Sequence, residues 1–384
     1  MKRALILASV ASMIDQFNMS NIKILQELGY KVDVLCNFDF GSTISDERIN
    51  ELKNELTSID VDYYNVLIPR SIFSIKQIIV AFNQIKSIIR KNVYDIVHCH
   101  SPVGGVLGRL ACKEERKKGL RVIYTAHGFH FFKGAPMLNW LIYYPIELVC
   151  SHFTDDLITI NNEDYLIAQK KMKSKRVVTI PGVGIDVKNF KSKKINKKKK
   201  KEEIGIPTDG FVLLSVGELN KNKNHQVLIK AISKIDADNI HYLIAGEGVL
   251  NKYLIKIARR FKVEKKVHML GYRRDVGELL QIADIFCHPS YREGLPVAVM
   301  EAMAAGLPVI GSNIRGVNDC CEDNVNGILC NPCKPDDFFH AIKRLLNNKE
   351  EMIIMGEKSL DRVNKYNITN VNEVMKKIYS NKVR

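Results

Sequence analysis

The sequence predicts an α/β protein built from two doubly wound, parallel-sheet domains. Three observations predict it. The chain has 384 residues, more than one compact core usually supports. Short apolar runs alternate with amphipathic helical stretches through the first half, the order that builds right-handed parallel sheets. The same alternation restarts after a lysine-rich interruption. The composition is that of a folded chain: 46 % of residues are hydrophobic and 26 % charged, which excludes a disordered or collagen-like polymer.

In the first half, residues 4–10 (ALILASV) form an apolar run suited to a buried strand. Residues 19–28 carry helical spacing closed by Gly29, and 32–36 form the next strand. An amphipathic helix is expected over 78–89, with strands at 95–99, 122–125, 156–160 and 177–180. In the second half the apolar runs are 211–216, 242–245, 267–270, 285–288 and 309–310, and a further strand-like run ends at Cys330. The expected division is an N-terminal domain over 1–187, a linker over 188–204, a C-terminal domain over 205–364 and a closing helical segment over 365–384. Two such domains in tandem leave a cleft lined by strand C-terminal ends.

The formal net charge is +16, and its placement decides what it means. Residues 188–201, KNFKSKKINKKKKK, hold nine lysines and no acid; the segments before and after carry only +4 and +3. The run reads as a solvated, self-repelling linker, with anionic lipid as a further partner. Without interleaved aromatics it is weak support for nucleic-acid binding. No uninterrupted apolar stretch reaches about 18 residues, and the N-terminal run is too short for a signal peptide, so a cytoplasmic protein is expected. The nine cysteines read as reduced thiols. Cys320, Cys321, Cys330 and Cys333 can be drawn as a zinc site, but adjacent ligands are unusual, and small buried residues around a loop are the favoured reading.

Two stretches carry chemistry. In YREGLPVAVMEAMAAGLPV (291–309), Pro296 suits a helix start, and Gly306 and Pro308 stop the helix. Glu293 and Glu301 lie eight residues apart, about 12 Å along a helix, too far to share one reacting bond but suited to two ends of one long ligand. A phosphate between them would meet the amides at Gly294 and Leu295. The second stretch, SVGELNKNKNH (215–225), follows a strand and presents Gly217 and Lys223, a point charge able to reach a diphosphate.

The ordered set YDIVHCHSP, YTAHGFHF, IPGVGID, VGELNKNKN, AGEG, GYRRDV and the E-x7-E pair Glu293 and Glu301 resembles the retaining glycosyltransferases of family 4, with the GT-B fold. YTAHGFHF, DLITINNEDY and SNIRGVND resemble the branch found in bacterial capsule, exopolysaccharide and teichuronic-acid assembly. The resemblance implies transfer from a UDP-sugar, a nucleotide-sugar donor, to a polyprenyl-diphosphate-linked saccharide at the inner membrane face, without a bound metal or further cofactor. It implies that Glu293 holds donor-sugar hydroxyls, Glu301 grips the ribose, and Lys223 neutralises the diphosphate. Gly271, Tyr272 and Arg273 would lie by the base. His127 would reach the donor sugar, and the last helix would return to the first domain. His98, His100 and Ser101 end a strand and either face the acceptor or are structural. Trp140, Tyr143 and Tyr144, near Lys133, either meet a membrane or pack as an ordinary helix.

Two departures from the family pattern stand out. The first loop, 9–16 (SVASMIDQ), lacks the usual glycine pair, and Glu218 occupies a position where an arginine is usual. Arg315 is expected to restore part of that charge, unless it is a surface arginine near a helix start. Competing activities are nucleotide-sugar epimerisation, transfer to a soluble acceptor, or non-catalytic saccharide binding.

Overall fold

The computed structural model describes residues 1–187 and 195–381. It divides into unit 1, Met1–Val183 with Thr369–Arg384, and unit 2, Gly184–Ile368.

Unit 1 is built on strands β1 (Lys2–Val10), β2 (Tyr30–Asn37), β3 (Asp62–Asn65), β4 (Ile96–His100), β5 (Arg121–Ala126), β6 (Asp156–Thr159) and β7 (Arg176–Thr179). They form one parallel sheet in the order β3-β2-β1-β4-β5-β6-β7. Ala4 to Ala8 are fully buried, as expected of a strand covered by helices on both faces. On one face, helices Ile75–Asn92 and Pro102–Ala111 bury Ala81, Ile85, Val103 and Leu107 against Leu5, Val97 and Tyr124. The stretch 9–16 is not a loop: β1 runs to Val10 and helix Ala11–Phe17 starts at once. β3 is an edge strand of mostly exposed residues, so it has no apolar run to announce it.

Unit 2 repeats the plan with β8 (Phe211–Val216), β9 (Ile240–Ala245), β10 (Val267–Gly271), β11 (Ile285–His288), β12 (Val309–Ser312) and β13 (Gly327–Cys330). The order is β10-β9-β8-β11-β12-β13, again parallel throughout, so the direction of winding reverses between β8 and β11. Its core joins Leu213, Tyr242 and Ile285 to Leu228, Ile232, Phe338 and Leu345. Helix Pro335–Asn347 begins with proline and then two acids, which suit the amide end of the helix.

The lysine run departs from the expected linker. Residues 188–194 lie outside the described residues, but Lys197–Glu203 is a helix of unit 2, capped by the Asn196 side chain. Lys200 is buried, with Nζ 2.6 Å from Asp275, 2.8 Å from Glu278 and 3.1 Å from Glu203. Lys201 donates to the carbonyl of Gly210 at 2.8 Å. Partner acids far along the chain convert part of a repelling run into a packed element.

The chain enters and leaves unit 2 side by side. Ile185 N donates to Tyr366 O at 3.0 Å and Ile368 N to Ile185 O at 2.9 Å. The last helix, Ile368–Tyr379, then packs in unit 1, where Arg121 donates to the carbonyls of Ile378 and Tyr379. Among the described residues no helix is long and apolar enough to cross a membrane.

Candidate functional site

In a doubly wound sheet, ligands bind beyond the strand C-termini where the winding reverses. In unit 2 that point is flanked by the loops after β8 and β11, which are tied together. Tyr291 N donates to Asn222 O at 2.8 Å, Asn222 Nδ2 to Arg292 O at 2.9 Å, and Asn224 Nδ2 to Pro289 O at 3.1 Å. Asn224 takes a left-handed conformation, φ 52°, which asparagine tolerates better than most residues.

These ties bring Lys223 to Glu293. Lys223 Nζ lies 2.7 Å from Glu293 Oε1, and His288 Nε2, at the end of β11, lies 3.0 Å from the same oxygen. Ser290 Oγ is 3.3 Å from His288 Nε2. Burial opposes the charge on Glu293, but Lys223 and His288 outweigh it and hold the carboxyl well below the usual range. The Lys223 stem crosses Gly217, where an added Cβ would sit 3.1 Å from Cε.

Helix Val297–Ala304 starts just after Pro296, which has no side-chain cap, and Glu301 lies on it, half-buried. Burial raises the Glu301 carboxyl to about 7. The two glutamates of the E-x7-E pair are therefore held in opposite states: one ionised by a cation, the other poised to titrate near neutrality. Leu295 is buried and Gly294 packs against the turn after β12. An added Cβ at Gly316, whose φ is +76°, would fall 2.2 Å from the Gly294 carbonyl oxygen. That contact places buried Arg315 beside the same loop, not on an open surface.

Gly271 ends β10, and its carbonyl accepts from Gly246 N at 2.8 Å. Tyr272 is exposed. Arg273 is not free to face a base: its guanidinium is held by Asp275 at 2.5 Å and Glu203 at 3.2 Å, in the cluster that also holds Lys200. Glu218 is exposed and accepts from Asn220 Nδ2 at 2.9 Å.

In unit 1 the winding reverses between β1 and β4, and a histidine cluster lies at the end of β4. His98 does not face outward. It is fully buried, with Nδ1 2.7 Å from Tyr379 Oη and Nε2 2.8 Å from Thr125 Oγ1, so both ring nitrogens are used inside the core. Burial, then His127 and Arg121, lower it to about 3. Ser101 is likewise turned inward: its Oγ accepts from Ser9 N at 2.9 Å and donates to Ser9 Oγ at 2.8 Å. His100 Nδ1 lies 3.2 Å from Nε2 of His127, which is half-buried and lowered to about 4 by burial. Both line a small cavity with Phe17, Ser20, Asn21 and Asn372. Trp140, Tyr143 and Tyr144 are partly buried against the core, with Trp140 Nε1 donating to Phe132 O, so they pack as an ordinary helix.

The asparagine-rich loop is the local signal of Asn222 and Asn224, though not of the ties they make; His288, at the end of β11, has no local signal. Cys320, Cys321 and Cys330 are buried free thiols and Cys333 is exposed. Among the described residues no group of three or more His, Cys, Asp or Glu is placed to hold a metal.

Comparison with known proteins identifies the family and the fold. Residues 196–362 match the family model for glycosyl transferases group 1, and residues 6–162 match glycosyl transferase 4-like. EpsD of Bacillus subtilis (strain 168), named as a glycosyltransferase, is 35 % identical over 383 residues, 99 % of this chain and 96 % of that protein. The UDP-Gal:α-D-GlcNAc-diphosphoundecaprenol α-1,3-galactosyltransferase of Escherichia coli is 32 % identical over 301 residues, 76 % of each chain. The crystal structure of Anabaena Alr3699/HepE in complex with UDP-glucose shares the fold, with a TM-score of 0.80 at 16 % identity, covering 99 % of this chain and 100 % of that one. With two family models matched along its length and a relative 35 % identical over 99 % of it, the chain belongs to glycosyltransferase family 4, of GT-B fold, in its exopolysaccharide and capsule branch.

Proposed function

We propose that the chain is a retaining, metal-independent glycosyltransferase. It moves a hexose or N-acetylhexosamine from a UDP-sugar to a polyprenyl-diphosphate-linked saccharide in cell-surface polysaccharide synthesis. The observation that carries the reading is the Lys223–Glu293–His288 cluster at the reversal point of unit 2. The printed name of the Escherichia coli relative, which pairs UDP-Gal with a diphosphoundecaprenol acceptor, supports the donor and acceptor classes.

When the bond from the sugar to the diphosphate breaks, negative charge gathers on the departing phosphate, and fixed cations and amides aimed there lower the barrier. Lys223 supplies the cation, with the Gly294 and Leu295 amides beside it. Arg315, on the turn packed against Gly294, is the second cation. A bound diphosphate draws Lys223 from Glu293 and frees Oε1 to accept a sugar hydroxyl, so donor binding itself prepares the carboxylate. Glu301 accepts from the ribose. His127 gives a ring nitrogen to a substrate hydroxyl. Exposed Met137, Leu138 and Leu141, beside exposed Lys133, are the membrane-facing side chains.

The test is a panel of nucleotide sugars offered with a polyprenyl-diphosphate saccharide. The expected outcome is transfer from a UDP-sugar in the presence of EDTA, with the donor's anomeric configuration kept. Sugar isomerisation without acceptor, or an inverted product, contradicts it.

A further inference from the structure

We infer that His100 is a positioning residue that fixes His127 as its Nδ1–H tautomer, and so makes His127 a hydrogen-bond donor toward substrate. The inference rests on the reading that His127 meets substrate, and it adds what sets that residue's chemistry.

The 3.2 Å contact between His100 Nδ1 and His127 Nε2 needs one hydrogen between two nitrogens. Both rings are driven to the neutral form, chiefly by burial, so each carries one N–H. Two arrangements satisfy the contact. In the first, His127 Nε2–H donates to His100 Nδ1. His100 must then carry its hydrogen on Nε2, which is buried without a partner among the described residues. In the second, His100 Nδ1–H donates to His127 Nε2, which leaves only a lone pair at the buried His100 Nε2. An orphaned buried N–H is the rarer and costlier defect, so the second arrangement prevails. It places the hydrogen of His127 on Nδ1.

The surroundings lock the pair. His100 is 2 % exposed and its ring lies 4.0 Å from that of His98, which Tyr379 and Thr125 hold at both nitrogens. Phe17 packs against His127, with ring centroids 5.8 Å apart. His98 is thus a buttress for His100, and His100 for His127. A neutral imidazole free in water has no such partner to select its tautomer.

The experiment is nitrogen-15 NMR of the full chain with labelled histidine, read together with kinetics of two variants. The expected result is Nδ1–H for His127 in the wild type. His100→Ala should lose that preference and lower kcat by about 10-fold to 100-fold, with donor KM changed less than about 3-fold. His100→Asn, whose amide N–H can stand where Nδ1–H stood, should keep the tautomer and most of kcat. An Nε2–H tautomer in the wild type overturns the inference, even if His100→Ala fails to fold. So does a His100→Asn variant as slow as His100→Ala. A His127→Ala variant with unchanged turnover instead sinks the reading that His127 meets substrate, and leaves the tautomer result standing as a separate fact.

Discussion

At the scale of single residues, the site sets two glutamates against each other. Glu293 is ionised by Lys223 and His288, whereas Glu301 has burial and no cation to offset it, and titrates near 7. An ionised carboxylate accepts ribose hydroxyls more strongly than a protonated one. Affinity for a nucleotide sugar should therefore rise as pH rises through 7, with proton release on binding, visible as a buffer dependence of the calorimetric heat. Glu301→Gln should flatten that profile. A wild-type affinity unchanged from pH 6 to 8 contradicts the assignment. Lys223→Ala should leave Glu293 with one partner fewer and weaken donor binding by about 10-fold or more, since a charged contact is worth about 1.5–3 kcal/mol; calorimetry with the donor measures this. Glu293, Glu301 and Lys223 are marked as candidates in the sequence because each sits in a local motif. His288 is not, because its contact with Glu293 depends on loops that the asparagines fasten. His98 is the opposite case: its place at a strand end leaves an acceptor-facing and a structural role open, and Thr125 and Tyr379, 27 and 281 residues away, decide for the structural one by holding both ring nitrogens.

At the scale of elements, the strands were legible wherever both faces are buried, because burial writes itself as an apolar run. β3 escaped because an edge strand needs no such run. Helix Lys197–Glu203 escaped because lysines alone do not announce a packed element; the acids that hold Lys200 lie on and just before helix Val276–Ile282. Replacing Lys200 by Met should lower the stability of unit 2 by about 1–3 kcal/mol. It removes one buried cation from three carboxylates that are partly solvated, less than the cost of breaking a fully buried pair. Denaturant unfolding measures this, and an unchanged midpoint would mark the helix as an incidental contact. Gly316→Ala acts on the site instead. Its Cβ would collide with the Gly294 carbonyl at a positive φ, so the loop carrying Glu293 must shift. Donor binding should weaken by about 10-fold or more, as small displacements at a reacting site do.

At the scale of the whole molecule, the lysine run that holds most of the +16 excess contributes less free positive charge than its sequence suggests, because Lys200 is held by three carboxylates inside unit 2. Acid sensitivity follows from the buried histidines. His98, His100, His127, His225 and His288 all have pKa values lowered chiefly by burial, so the unfolded chain binds more protons than the folded one below about 6.5. Their contribution is complete above 6.5 and is lost as pH falls toward 4. Glu301, raised instead, pulls weakly the other way between about 4.5 and 7. The thermal midpoint should drop steeply between pH 6.5 and 5, and a flat profile contradicts this. The central claim is that Lys223 and Glu293 form the donor site of a glycosyl transfer. It is tested most directly by the turnover of a UDP-sugar, with acceptor present, by Glu293→Gln against the wild type. The account predicts a loss of about 100-fold or more with the thermal midpoint kept; turnover within about twofold of wild type would contradict it.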